Sequence, residues 1–138
     1  MSFRSTILQL PLILFGLTVA VQPRVRAAEH TTDSLDKVQR SLADETAVLI
    51  DVREQDEWDA GHLQDATLVP LSSLPEQIDS GKIKQQLPSD KVIYCHCRSG
   101  GRVLRAADLL KAQGYDVRPL KTGYQGLLQA GFEPAPAE

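Results

Sequence analysis

The chain has 138 residues, with 15 Lys and Arg against 18 Asp and Glu, a formal charge of −3 and 42% apolar content. That length favours one folded domain, and the acidic balance, with no run of five bases, excludes an electrostatic grip on nucleic acid. Two cysteines one residue apart build no disulfide framework, and no Cys/His set has the spacing of a structural zinc site, so no metal is expected.

Arg4 precedes an almost wholly apolar stretch, residues 7–21, followed by Gln22 and Pro23. The stretch is shorter than the ~20 residues that span a bilayer and is interrupted by Gln9 and Pro11. It reads as a secretory signal peptide over residues 1–27, with Val25 and Ala27 as the small residues of a cleavage site and Ala20 closing a second candidate. Cleavage after Ala27 removes three bases and no acid, leaving 111 residues with 12 bases, 18 acids and a charge of −6. The expected location is periplasmic or secreted, with membrane association only if the segment is uncleaved.

Residues 28–32 read as a flexible lead-in. Leu35, Val38 and Leu42 then recur at helical spacing behind Thr32 and Asp33, either of which can cap a helix ending near Ala43. Residues 47–52 form an apolar run too short for a helix and without alternation, the pattern of a central strand covered on both faces. A helical turn or two follows over residues 54–60, stopped by Gly61, and a brief strand over residues 68–71 carries Pro70. Residues 72–87 read as helix punctuated by Pro75 and Gly81, and residues 91–95 as a second strong strand. Apolar residues at 103, 106, 107, 109 and 110 mark an amphipathic helix stopped by Gly114. A short strand over 117–120, a small helix over 124–130 and a disordered tail over 133–138 complete the chain. The alternation predicts an α/β domain, a small, mostly parallel five-stranded sheet with helices on both faces.

Ligands of parallel sheets bind beyond the carboxyl ends of the strands, which directs attention to residues 95–102. Cys97 falls where the strand ends, and Ser99, Gly100 and Gly101 offer small side chains and backbone N–H groups ahead of a helix. Such amides and the helix dipole stabilise an anion, so a cysteine there is expected to be thiolate-rich and nucleophilic. Arg98 and Arg102 add cationic charge able to hold oxyanions.

These residues resemble the active-site loop of the rhodanese-like sulfurtransferases, in which a nucleophilic cysteine opens a six-residue turn after a strand. Cys97-Arg98-Ser99-Gly100-Gly101-Arg102 fits that loop position by position. Asp51-Val52-Arg53-Glu54, Glu57-Trp58, Gly61-His62-Leu63 and Thr122-Gly123-Tyr124 agree in order and spacing, and the resemblance covers residues 33–132. It implies a single-domain thiosulfate sulfurtransferase with Cys97 as nucleophile and residues 98–102 as the substrate-binding loop. It also implies a covalent cysteine persulfide in place of any cofactor. The partners implied are a small sulfur donor and a thiol, cyanide or dithiol-protein acceptor. Phosphatases of a related fold place five residues between cysteine and arginine, whereas four separate Cys97 from Arg102 here.

Cys95 reads as a core residue or as a resolving thiol for Cys97. Asp51 and Arg53 read as a charged pair supporting the active-site end of the sheet, Trp58 as packing and His62 as a loop hydrogen-bonding group. His96 alternates away from the cysteines, and His30 lies in the lead-in. Two other readings are a rhodanese-fold binding or sulfur-delivery module and a thiol-redox protein using Cys95 and Cys97.

Overall fold

The structure, a computed structural model, describes Ala20 and residues 26–137, so nearly all of the expected signal peptide lies outside the described residues. Among these, no helix is long and apolar enough to cross a membrane.

Four parallel strands, β1 (Ala47–Asp51), β2 (Ala66–Leu68), β3 (Val92–His96) and β4 (Asp116–Pro119), form one sheet in the order β2-β1-β3-β4. The two apolar runs therefore occupy the centre, as their covered character requires. The helices are α1 (Leu35–Ala43), α2 (Gln55–Asp59), α3 (Leu74–Asp79), α4 (Lys82–Gln86), α5 (Arg102–Lys111) and α6 (Tyr124–Gln129).

Strand alternation sorts the core into two layers. Ile50, Ile93, Cys95 and Val117 pack with Leu74 of α3, Ile83 of α4 and Val103, Ala106, Ala107 and Leu110 of α5. Leu49 and Tyr94 point the other way, to Val38 of α1 and Leu127 of α6. Helices thus cover both faces, as the alternating pattern predicts.

Several local expectations are corrected. The described residues form four strands, not five. Beyond β4, where a fifth would pair, the lead-in makes a single backbone bond, Thr31 N to Pro119 O at 2.8 Å. β2 lies at residues 66–68 rather than 68–71. Val69 N, just past it, still bonds Asp51 O at 2.8 Å, and Leu71 N bonds Val52 O at 3.1 Å, with Pro70 between them facing away from β1. The α1 cap is Ser34, which accepts from Lys37 N, not Thr32 or Asp33. The Asp33 carboxylate is instead taken by Lys37, Tyr94 and Arg118.

Backbone groups of both the lead-in and the tail bond to the rest of the domain. Ala28 N donates to Asp108 Oδ1 at 2.6 Å. In the tail, Leu63 and Pro134 form an antiparallel bridge flanked by Gln64 N to Glu133 O at 2.9 Å and Ala135 N to His62 O at 2.8 Å. This backbone pairing with residues 62–64 needs no apolar side chains.

Candidate active site

β1 and β3 are paired so that Asp51 stands opposite His96, which brings residues 52–53 and 97–101 to the same end of the sheet. From β1 the chain moves outward to β2, and from β3 it moves to β4 on the other side. The carboxyl ends of β1 and β3 therefore flank the topological switch point, where parallel sheets hold ligands.

Cys97 follows β3 directly, and the chain over residues 98–101 folds back over it. Gly100 N–H donates to Cys97 Sγ at 3.1 Å, and Cys97 O accepts from Tyr124 N at 2.9 Å. Gly100 adopts φ of 87°, the left-handed region, and a Cβ there would lie 2.4 Å from Lys121 O, so only glycine fits this turn. Gly101 caps α5, while Arg98 and Ser99 are exposed and their side chains make no hydrogen bonds among the described residues.

Two features depart from the expected open cationic loop. Cys97 is 1% exposed and packs in the same apolar cluster as Val52 and Val103, so the resting loop closes over the sulfur. Arg102 is not free to grip a substrate oxyanion. Its Nη1 and Nη2 each lie 2.7 Å from an oxygen of Glu57, a bidentate pair linking α5 to α2 across 45 positions. The Arg102 guanidinium beside Glu57 depresses that carboxyl to about 2, because the bidentate hydrogen bonds favour the charged form. Among the described residues Arg98 is left as the unpaired loop cation.

Beneath the loop lies a buried charged network. Asp51 accepts from Arg53 Nε at 3.0 and 2.9 Å through its two oxygens and from Arg53 Nη2 at 2.8 Å, with Arg53 N–H adding a fourth bond at 2.9 Å. Arg53 Nη2 also donates to Gly61 O at 2.8 Å, and its guanidinium lies 4.2 Å from the Tyr124 ring centroid, over the ring face. Asp51 and Arg53 thus tie β1, the α2–β2 turn and the start of α6 into one end wall.

His96 is fully buried. Its Nδ1 lies 3.2 Å from Cys97 O, so that nitrogen carries the donated hydrogen; Nε2 stays 3.6 Å from Asp51 and unpaired. Burial pushes its pKa down, outweighing the pull of Asp51, and keeps the ring neutral. The contact is with the backbone of Cys97, as a side chain alternating to the opposite sheet face dictates.

Cys95 lies in the core below Cys97, and both are free thiols. Cys95 Sγ is directed at Val103 O at 3.9 Å, and burial, with Cys97 nearby, pushes its thiol well up. These are the surroundings of a core side chain, the first of the two readings of Cys95. Trp58 stacks on His62 with centroids 3.6 Å apart, and His62 Nδ1 lies 3.0 Å from Trp58 O, a packed loop pair.

A cleft of about 330 Å³ opens beside the loop, lined by Arg53, Glu57, Ala60, Gly61, Arg98, Tyr124 and Gln125. Among the described residues no group of three His, Cys, Asp or Glu side chains is placed to hold a metal ion. The sequence reading missed the Glu57 partnership with Arg102 and the bond from His30 Nε2 to Gly100 O, 2.6 Å long and 70 positions distant. Neither has a local signal.

The model of the rhodanese-like domain matches residues 34–130. The chain belongs to that family. Relatives include the Bacillus subtilis protein YqhL, 36% identical over 80 residues, which are 57% of this chain and 59% of that one. The tRNA uridine(34) hydroxylase of an Enterobacter species is 31% identical over 58% of this chain but only 23% of its own length. The chain thus spans less than two thirds of either relative. Among solved structures, the human single-domain sulfurtransferase TSTD1 is similar, with TM-score 0.61 and 28% identity over 71% of this chain and 95% of that chain. The fold is rhodanese-like α/β, and the family supports a sulfurtransferase-type or related activity.

Proposed function

We propose that the protein is an exported sulfurtransferase that carries sulfane sulfur on Cys97. The Cys97 thiolate attacks the outer sulfur of thiosulfate, the S–S bond breaks, and sulfite leaves with the bonding electron pair. A small organic persulfide serves in the same way, releasing its thiolate. The resulting Cys97 persulfide is then attacked at its terminal sulfur by a thiolate or cyanide, which leaves with that sulfur and restores the Cys97 thiolate. The sulfur travels on the enzyme itself, so the reading asks for no metal or organic cofactor.

The observation that carries the proposal is Cys97 Sγ accepting the Gly100 N–H inside a loop that begins where β3 ends. A sulfur held as an acceptor by a fixed backbone donor is prepared to bear negative charge, and that donor costs no reorganisation during reaction. Arg98 and Ser99 are exposed on the loop, and their side chains make no hydrogen bonds among the described residues. Arg98 lines the adjoining cleft and is placed to meet an anionic donor.

Export rests on the apolar leader and the small residues before Ala28. The lead-in contact is in keeping with it: cleavage after Ala27 would turn Ala28 N, 2.6 Å from Asp108 Oδ1, into an ammonium beside a carboxylate.

The test is intact-protein mass after thiosulfate treatment of reduced protein recovered from the periplasm. One added sulfur atom and a chain beginning at Ala28 are expected. Cys97→Ser is expected to abolish loading, and Cys95→Ser to spare most of it. Reduced wild-type protein that gains no sulfur, or loading that survives Cys97→Ser, overturns the proposal.

A further inference from the structure

The N-terminal strap is anchored at two points, and the side chain between them reaches the sulfur loop. Ala28 N bonds Asp108 Oδ1 on α5 at 2.6 Å, and Thr31 N bonds Pro119 O on β4 at 2.8 Å. Between them the half-buried His30 places Nε2 2.6 Å from Gly100 O. A carbonyl oxygen only accepts, so Nε2 carries the hydrogen.

Gly100 and Gly101 both lack Cβ, and the peptide between them meets less steric resistance to rotation than any other in the loop. C=O and N–H of a trans peptide point in opposite directions. A bond to Gly100 O therefore fixes the direction of Gly101 N–H as well, and a flip would exchange a donor for an acceptor. The preceding peptide carries the Gly100 N–H that meets Cys97 Sγ at 3.1 Å. The two planes share the Gly100 Cα, so the His30 bond on one restrains the donor on the other.

We infer that His30 is a positioning residue of the sulfur site, a side chain from the strap that locks the Gly100–Gly101 peptide and keeps the Gly100 amide turned toward the Cys97 sulfur. This rests on the sulfurtransferase reading. Residues supporting a reacting group from behind are typically worth about 10- to 100-fold, and His30 acts on one peptide of several. Both strap anchors are backbone donors, so replacing the side chain at position 30 leaves them in place.

The experiment compares wild type, His30→Ala and His30→Gln by steady-state transfer from thiosulfate to cyanide, by thermal midpoint and by amide hydrogen exchange over residues 98–101. His30→Ala is expected to lower kcat about 10-fold with KM within about twofold. Its thermal midpoint should be nearly unchanged and exchange at Gly100 and Gly101 faster. His30→Gln, whose side-chain amide can donate to the same oxygen, is expected to recover most of both losses. Wild-type kcat and exchange in His30→Ala overturn the inference, and so does equal impairment of the two variants. A fall in thermal midpoint with kcat and KM moving together also overturns it, since that marks a merely structural contact. The exchange arm needs no sulfur donor, so if wild-type protein fails to load sulfur, His30 is still judged on the loop amides.

Discussion

Gly123→Ala tests whether loop geometry, not the mere presence of Cys97, sets the transfer rate. Gly123 has φ of −88°, open to any residue, so the substitution carries no backbone strain. A Cβ there would instead lie 1.9 Å from Arg98 O, 2.4 Å from Arg98 C and 2.9 Å from Ser99 N. Real Cβ atoms essentially never approach within 3.0 Å, so Arg98 O must retreat by at least the difference, 1.1 Å. Arg98 is bonded directly to Cys97, and a 1 Å misplacement at a reacting centre costs on the order of 100-fold in rate. Gly101→Ala is the matched control inside the loop, since a Cβ there meets nothing within 4 Å. Single-turnover sulfur loading, followed by mass, is expected to fall about 100-fold in Gly123→Ala and less than about threefold in Gly101→Ala. Urea unfolding of both variants separates rate from stability, with overpacking at 123 expected to cost about 1–3 kcal/mol. Loading at the wild-type rate in Gly123→Ala, or equal damage from the two alanines, would refute the reasoning.

Three further outcomes follow from the charged groups around the loop. Asp51→Asn leaves the Arg53 guanidinium buried without its counter-ion and is expected to cost about 3–5 kcal/mol, read as a lower urea midpoint at unchanged slope; a loss below about 1 kcal/mol would refute the buried-pair account. Glu57→Gln releases the Arg102 guanidinium and is expected to lower KM for thiosulfate several-fold while leaving a neutral organic persulfide donor unaffected; an unchanged thiosulfate KM counts against it. The Glu57 carboxyl, depressed from an ordinary 4.5 to about 2, stabilises the fold fully above 4.5, and this contribution is lost as pH falls toward 2. The stability difference between wild type and Glu57→Gln should therefore shrink on acidification across that window, and a difference independent of pH would dismiss the ion pair as its source.

The parts legible in the sequence were those whose signal is local. β1 and β3 are continuous apolar runs because both faces are covered, and the loop from Cys97 to Arg102 carries its glycines next to its cysteine. β2 was placed late because its residues at 66–68 are partly exposed and include the exposed Thr67, which gives no run to detect. The α1 cap was missed because Asp33 is an ordinary capping residue whose carboxylate is claimed by Tyr94 and Arg118, 61 and 85 positions away. Arg102 was read as substrate-facing for the same reason. Only the folded chain brings Glu57 to it, and a composition of charged residues does not say which charges cancel. Backbone bonds from the lead-in and tail to distant partners likewise leave no trace in residue type.

Under the proposed function the loop, more than burial, distinguishes Cys97 from Cys95. Both belong to one apolar cluster and are essentially closed to solvent. Cys95 Sγ is directed at a carbonyl oxygen, Val103 O, a contact that only the protonated thiol can make as donor. Cys97 Sγ receives the Gly100 N–H, a contact that strengthens as the sulfur gains negative charge. In a dry setting each contact is worth more than it would be in water, so the surroundings that hold Cys95 as an inert thiol amplify the single amide bond at Cys97. Closure and the proposed reaction are then compatible: the chain over residues 98–101 supplies the donor, and a buried sulfur would favour small sulfur donors and acceptors. Opening the loop wide for a bulky reagent would remove the Gly100 amide from the sulfur, so a large alkylating agent should meet a less activated Cys97 than a small one does.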